Sequence, residues 1–144
     1  KPMNLDLDPW LILPLLLVLF LMALPILSRR MKGNVNYTAT GELNNFMAQE
    51  NPVVVIDIRA EKDFLQGHIE GALNILPAAL KEKIDSGGSD FDDLKQQRVV
   101  VICRFDLESI GAAKLLENSG FQNVSVLQGG ILRWKRDHLP LMKG

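Results

Sequence analysis

The sequence predicts an α/β fold, a doubly wound parallel sheet of about five strands, preceded by one transmembrane helix. Two observations predict the sheet. The runs Val53–Ile56 and Val99–Ile102 are each four β-branched residues without a polar side chain, as in strands buried on both faces. Segments with helical spacing alternate with these runs. A third observation, an uncharged stretch over residues 9–28, predicts the transmembrane helix.

Composition excludes several classes of function. The 144 residues carry a formal net charge of −1, and 47% of them are hydrophobic. This balance is too neutral for a nucleic-acid-binding protein that relies on a basic surface, and too apolar for a disordered chain. A single cysteine excludes a disulfide framework and a multi-cysteine zinc site. We therefore expect no metal, no nucleic-acid partner and no cofactor.

Residues 1–32 are predicted to be a membrane anchor. The twenty residues of 9–28 carry no charge, and as a helix they would span roughly 30 Å, the thickness of the hydrocarbon core of a bilayer. Pro14 is expected to kink this helix. The alternative is a cleaved signal peptide, but the leading segment carries Asp6 and Asp8, and the apolar run is longer than a signal peptide needs. The lipid bilayer is therefore the predicted partner of this segment.

Charges beside the apolar run predict its orientation. Arg29, Arg30 and Lys32 follow the run, whereas Lys1 and two aspartates precede it. The positive-inside rule then places residues 33–144 in the cytoplasm. A lone cysteine remains a thiol in that reducing compartment, which agrees with this orientation.

Residues 33–144 are predicted to form one domain in which strands and helices alternate. Thr40 is the expected N-cap of the first helix, which Pro52 ends. The next predicted elements are the strand Val53–Ile56, a helical turn over Glu61–Gln66 and the strand Leu73-Asn74-Ile75; a short edge strand at Asn36-Tyr37 precedes them all.

The second half of the domain repeats the alternation. Its predicted elements are two short helical stretches within residues 78–97 separated by Ser86–Ser89, the strand Val99–Ile102, the helix Leu107–Asn118, the strand Val124–Leu127 and the closing helix Ile131–Arg136. Strands and helices at this spacing form a parallel sheet, and ligands of such sheets bind beyond the carboxyl ends of the strands.

The only cysteine lies where that rule places a ligand. Cys103 directly follows the strand Val99–Ile102 and precedes a helix that starts near Leu107 or Ser109. Backbone N–H groups at the start of a helix stabilise a thiolate and hold an anion. The alternative is that Cys103 fills space in the core, as free cysteines often do.

Two ordered sets of residues resemble the rhodanese homology domain. The first set is Asp57-Ile58-Arg59, Phe64, Gly67-His68-Ile69, Gly71-Ala72, Asn74-Ile75 and Pro77. The second set is the strand ending at Cys103, Ala112-Ala113, Leu115, Gly120-Phe121, Val124, Leu127, Gly129-Gly130, Trp134 and Leu139-Pro140. The resemblance covers residues 35–141. With the predicted anchor, the chain is similar to the membrane-tethered single-domain rhodaneses of bacteria, which implies a rhodanese-like fold and a place at the inner (cytoplasmic) membrane.

The resemblance implies sulfurtransferase chemistry. In this family a cysteine thiolate takes the outer sulfur of a donor such as thiosulfate, carries it as a persulfide and passes it to cyanide or a thiol. Cys103 is the implied nucleophile, and Asp57 and Arg59 are implied to support the site or to form a structural salt bridge. The implied substrate-binding loop is Arg104, Phe105, Asp106, Leu107, Glu108 and Ser109. The implied partners are a sulfane-sulfur donor and a thiol acceptor, either of which can be protein-borne.

Four other features are interpreted as structural or as surface. In the family, the turn around His68 packs beneath the sheet and does not touch substrate. Gly129-Gly130 and Trp134 are interpreted as architecture, and His138 as a surface residue.

The implied loop departs from the family pattern at two positions. Members that use thiosulfate well commonly have glycine where Asp106 stands and a neutral or basic residue where Glu108 stands. A carboxylate at about 4–6 Å raises a thiol pKa by about one unit and repels a dianionic donor, unless it points to water. Without the glycine, the loop also loses easy access to positive φ. We therefore expect weak thiosulfate activity and a less charged or protein-borne persulfide donor.

Three activities are weighed for the fold. Related phosphatases and arsenate reductases need an arginine six positions after the cysteine, where this chain has Ser109, so phosphatase activity is not expected. A membrane-tethered sulfurtransferase is favoured by the position of Cys103. A docking or redox-sensing module with a vestigial cysteine is favoured by Asp106 and Glu108.

Overall fold

The computed structural model describes residues 9–31, 34–49 and 52–144. In these ranges the helices are α1 Pro9–Met31, α2 Thr40–Ala48, α3 Glu61–Gln66, α4 Pro77–Ser86, α5 Ser89–Asp92, α6 Asp106–Asn118 and α7 Gly130–Arg136. The strands are β1 Asn36–Thr38, β2 Val53–Asp57, β3 Leu73–Asn74, β4 Arg98–Ile102 and β5 Asn123–Leu127. A 3₁₀ turn over Asp93–Gln96 leads into β4.

The chain divides into two compact units, residues 1–34 and residues 35–144. In the first unit, α1 covers the apolar run that the sequence predicted to be helical. Among the described residues, however, the structure contains no helix with the length and apolar character required to cross a membrane. The helix is thus confirmed, and the predicted membrane crossing is not supported.

The second unit contains the predicted parallel sheet of five strands. Their order across the sheet is β1-β5-β4-β2-β3, and every pair of neighbours runs parallel. The two β-branched runs form the neighbouring strands β2 and β4 at the middle of the sheet, as predicted. The chain builds outward from β2 to β3 and then returns to the other side of β2. A ligand cleft is expected at such a reversal, beyond the carboxyl ends of β2 and β4.

The core lies on both faces of the sheet because successive side chains of a strand point to opposite faces. In β4, Val99 and Val101 pack in one apolar cluster with Leu116 of α6. Val100 and Ile102 pack in the other cluster with Trp134 of α7. These four side chains of β4 are fully buried, so this strand fixes the position of the residue that follows it.

One predicted cap is wrong. The residue that precedes α2 is Ala39, whose carbonyl accepts a hydrogen bond from the amide of Leu43. Thr40 is the first helical residue, and its hydroxyl donates to the carboxylate of Asp137 after α7. The hydroxyl therefore connects two distant helices of the domain instead of capping its own helix.

Candidate functional site

Two sequence-predicted site residues lie side by side at the carboxyl edge of the sheet. Asp57, the last residue of β2, is paired in register with Ile102, the last residue of β4. Cys103 comes next, and α6 begins three residues later at Asp106. The cysteine therefore lies beyond the carboxyl end of its strand, as predicted, and the strand order places this position at the reversal. It is reduced, and only 2% of its surface is exposed.

The Cys103 thiol is held in its protonated form. Its Sγ donates a hydrogen bond to Oε2 of Glu108 at 2.7 Å. Burial and this carboxylate raise the pKa of Cys103 to about 11, although the backbone amides of Arg104 and Phe105 act in the opposite direction. The opposition to ionisation that the sequence predicted for Glu108 is confirmed, and burial of the sulfur adds a larger effect that the sequence did not reveal.

The predicted substrate-binding loop is shorter than expected. Only Cys103, Arg104 and Phe105 lie outside regular structure, because α6 starts at Asp106 and includes Leu107, Glu108 and Ser109. Phe105, the residue before the helix, has extended backbone angles (φ −129°, ψ 174°). The loop thus runs straight into a helix and has no residue with positive φ, as expected for a segment without glycine. The two acidic residues in the first turn of α6 favour this early start, because they complement the helix dipole.

The interpretation of Asp106 as a second carboxylate near the sulfur is wrong. Its Oδ1 accepts a hydrogen bond from the backbone amide of Gly129 at 2.7 Å, in the turn between β5 and α7. This bond directs Oδ1 toward the turn. Asp106 therefore fixes the start of α6, and Glu108 is the acidic residue that acts on Cys103.

The same turn holds the backbone of the cysteine, which sequence reasoning missed. The amide of Ile131 donates to the carbonyl of Cys103 at 3.0 Å. Gly130 has a φ of +58°, and a Cβ there would lie 2.6 Å from the Cys103 carbonyl oxygen and 2.7 Å from that of Arg104. Only glycine fits this close approach. The pair Gly129-Gly130 was the signal in the sequence, and it was interpreted as general architecture.

Asp57 and Arg59 form a structural salt bridge, one of the two roles that the sequence left open. Arg59 Nη2 lies 2.6 Å from Asp57 Oδ2, and Arg59 Nε lies 2.9 Å from Asp57 Oδ1. Both side chains are buried. Arg59 also donates to the carbonyl of Gly67, and Asn74 donates to the carbonyls of Asp57 and Arg59. The ion pair therefore connects β2 to the segment around α3 and supports the wall beside the cysteine.

A cavity of about 360 Å³ is bordered by Glu108, the residue to which the Cys103 thiol is bonded. It is lined by Ile58, Arg59, Ala60, Asp63, Arg104, Phe105, Leu107 and Glu108. The apolar side chains at its rim face solvent: Phe105 is 61% exposed and Leu107 is 78% exposed. A larger concavity of about 640 Å³ adjoins β3 and α5 but contains no nucleophile of this kind, so the cavity beside Cys103 is the candidate functional site.

The other residues singled out in the sequence have structural or surface positions. The His68 ring stacks on the ring of Phe64, and its Nδ1 forms a hydrogen bond with the backbone carbonyl of Phe64. Trp134 is fully buried, with its Nε1 donating to the carbonyl of Pro140. His138 is exposed. Ser109 lies in α6 with its hydroxyl buried and without a partner. Among the described residues there is no cluster of three or more His, Cys, Asp or Glu that could hold a metal.

Comparisons with known proteins agree with this architecture. The family model of the Rhodanese-like domain matches residues 39–137. The chain is 30% identical to the uncharacterized protein YibN of Escherichia coli strain K12 over 116 residues, 81% of this chain and 78% of that protein. It is 30% identical over 95 residues to thiosulfate sulfurtransferase GlpE of Vibrio cholerae, 66% of this chain and 84% of that one.

A solved structure has a similar fold. The crystal structure of the Alr3790 protein from Anabaena superposes with a TM-score of 0.64 at 25% identity, covering 74% of this chain and 91% of that one. The parallel sheet, the position of the cysteine and these similarities have one explanation: the chain belongs to the rhodanese-like domain family.

Proposed function

We propose that this protein is a sulfurtransferase that carries sulfane sulfur as a persulfide on Cys103. The observation that carries the proposal is the position of the thiol, which lies at the reversal in strand order and is bonded to Glu108, a residue that lines an open cavity. Similarity to a protein named thiosulfate sulfurtransferase supports the same chemistry.

The proposed reaction has two transfers. In the first, the Cys103 thiolate attacks the outer sulfur of the donor, a new S–S bond forms at Sγ, and the donor leaves with the electron pair of the bond that breaks. In the second, an acceptor thiolate attacks the outer sulfur of the persulfide, and the Cys103 thiolate leaves. The amides of Arg104 and Phe105, which already favour the anionic sulfur, stabilise the negative charge in both steps.

The remaining residues of the substrate-binding loop have separate roles in this proposal. Phe105 and Leu107 present apolar surface at the mouth of the cavity, which suits a donor or acceptor carried on a polypeptide. Arg104 supplies positive charge at the wall. Asp106, Ser109 and Asp57 do not line the cavity and position the loop, and Arg59, paired with Asp57, supports the cavity wall.

Mass spectrometry of the intact chain tests this function. After incubation with a sulfane-sulfur donor and removal of excess donor, we expect a gain of one sulfur atom that a thiol acceptor removes. Cys103→Ser is the control, and it should gain nothing. A chain that stays unmodified with every donor would contradict the proposal.

We also propose that residues 1–32 tether the domain 33–144 to the inner (cytoplasmic) membrane of a bacterium, with the domain in the cytoplasm. The support is the uncharged stretch over residues 9–28 and the basic residues that follow it. After cell fractionation, the chain should remain with membranes through an alkaline carbonate wash, and a variant that lacks residues 1–32 should not. Protease added outside spheroplasts should leave the domain intact; cleavage of the domain would contradict the orientation.

A docking module is the second candidate, and the burial of Cys103 favours it. A thiol with a pKa near 11 is poorly nucleophilic at neutral pH. The same pKa argues against redox sensing, because oxidation also requires the thiolate. In this alternative the exposed Phe105 and Leu107 bind a partner, and Cys103 stays unmodified in the experiment above.

A further inference from the structure

Glu108 is the group on the cavity wall that touches the sulfur. Cys103 itself is almost fully buried, whereas Glu108 is exposed and lines the cavity. Oε2 of Glu108 accepts the hydrogen bond from the Cys103 thiol at 2.7 Å. A donor that approaches Cys103 from the cavity therefore meets this carboxylate. Its charge and its proton-accepting oxygen act on the donor as well as on the thiol.

The charges that line the cavity do not compensate a dianion. Of the two arginines, Arg59 is already paired with Asp57 inside the domain. Arg104 is left to balance both Asp63 and Glu108, which share the same wall. A donor with two negative charges therefore enters a site whose formal charge is already negative, and repulsion raises the free energy of its approach.

We propose that Glu108 selects the sulfur donor, so that the site takes a hydropersulfide, R–S–SH, in preference to a dianionic donor such as thiosulfate. This inference rests on the proposed sulfurtransferase function and names its donor class. The hydropersulfide is carried either on a small thiol or on a polypeptide.

In the proposed step, the Glu108 carboxylate accepts a proton from Cys103 and later returns it to the leaving group. The proton of Cys103 moves to Oε2, and the thiolate attacks the terminal sulfur of R–S–SH. The Sγ–S bond forms, the S–S bond of the donor breaks, and the leaving R–S⁻ takes the proton back from Glu108. The products are the Cys103 persulfide and R–SH. The charge of the site is the same before and after the step.

The test is a ratio of two rates in the full chain. The kcat/KM for loading Cys103 is measured with cysteine hydropersulfide and with thiosulfate, and the first is divided by the second. Any change in the fraction of thiolate affects both donors equally and cancels in this ratio. We expect Glu108→Gln to lower the ratio at least about tenfold, because one neighbouring charge is removed from the path of a dianion.

Two matched variants complete the experiment. Glu108→Asp keeps the charge and should keep most of the selectivity, whereas Glu117→Gln makes the same substitution at the far end of α6 and should leave the ratio unchanged. An unchanged ratio in Glu108→Gln, or equal losses in Glu108→Asp and Glu108→Gln, would overturn the inference while the sulfurtransferase stands. If no donor loads Cys103 in the unaltered chain, the proposed function fails as well.

A third donor identifies the source of the sulfur. A synthetic cysteine-containing peptide in its hydropersulfide form is compared with cysteine hydropersulfide. Both should be preferred to thiosulfate, and faster loading from the peptide would assign the donor to a polypeptide. Slower loading from both than from thiosulfate would overturn the inference.

Discussion

The segments that follow β2 and β4 leave the same edge of the sheet but complete their polar contacts differently. After β2, the carboxylate of Asp57 and the guanidinium of Arg59 satisfy each other inside the domain. After β4, Sγ of Cys103 is hydrogen-bonded to the carboxylate of Glu108, which also lines an open cavity. The polar contacts of Asp57 are thus closed inside the domain, whereas the polar contact of Cys103 borders a cavity.

This difference indicates that the segment after β2 supports the fold and that the segment after β4 takes part in the proposed reaction. Arg59 also donates to the carbonyl of Gly67, and Asn74 donates to the backbone carbonyls of Asp57 and Arg59, so the charges of the pair are compensated inside the domain. The Cys103–Glu108 contact uses one bond, and a donor in the cavity can replace it. Substitutions in the first segment should therefore change stability, and substitutions in the second should change reactivity.

The largest expected effect is the loss of the buried ion pair. Asp57→Ala leaves Arg59 charged and without its partner inside the domain, which should lower the free energy of unfolding by about 3–5 kcal/mol. Chemical denaturation measures this change. Lys81→Ala is the control, because it breaks the exposed Lys81–Asp85 pair and should cost no more than about 0.5 kcal/mol. Equal effects of the two variants would contradict the comparison.

An intermediate effect is expected at the turn that holds the cysteine backbone. Gly130→Ala places a methyl group against the carbonyls of Cys103 and Arg104 in a residue with positive φ, and should destabilise the chain by about 1–3 kcal/mol and slow persulfide loading. Gly111→Ala has open space around its Cβ inside α6 and should stabilise by about 0.5–1 kcal/mol. Denaturation and mass spectrometry together check both results. If Gly130→Ala loads sulfur at the normal rate, the turn does not position the site.

The smallest effect on stability, but a clear effect on reactivity, is expected at Glu108. Because the pKa of Cys103 is raised to about 11, the rate of its alkylation by uncharged iodoacetamide should still rise with pH above 9. Glu108→Gln removes the carboxylate and should lower the pH at which alkylation reaches half of its maximal rate by about one unit. The free energy of unfolding should change by less than about 0.5 kcal/mol. A midpoint that does not move would show that burial alone sets the pKa.

Most of the fold could be predicted because the strongest signals are local. The β-branched runs identified β2 and β4, and α3 has the predicted bounds Glu61–Gln66. The partner of Thr40 could not be predicted, because Asp137 is 97 residues away and the same residue type caps many helices. Tertiary contacts decided that position, as they often do for polar residues near helix ends.

The candidate site could be predicted only in part for the same reason. The positions of Cys103 and Glu108 follow from the strand run and the spacing after it. The orientation of Asp106 depends on Gly129, which comes from another part of the chain. Spacing alone gave Asp106 and Glu108 the same role, and the direction of each side chain separates them.

The turn over residues 129–131 has a consequence for the order in which the protein is made. Cys103 leaves the ribosome before Gly130 and Ile131, which hold its carbonyl in the finished domain. Until they arrive, the nascent chain carries an ordinary cysteine that ionises near pH 8.5 and reacts readily. The start of α7, which is synthesised after Cys103, thus completes the backbone contacts that hold the cysteine in the folded domain.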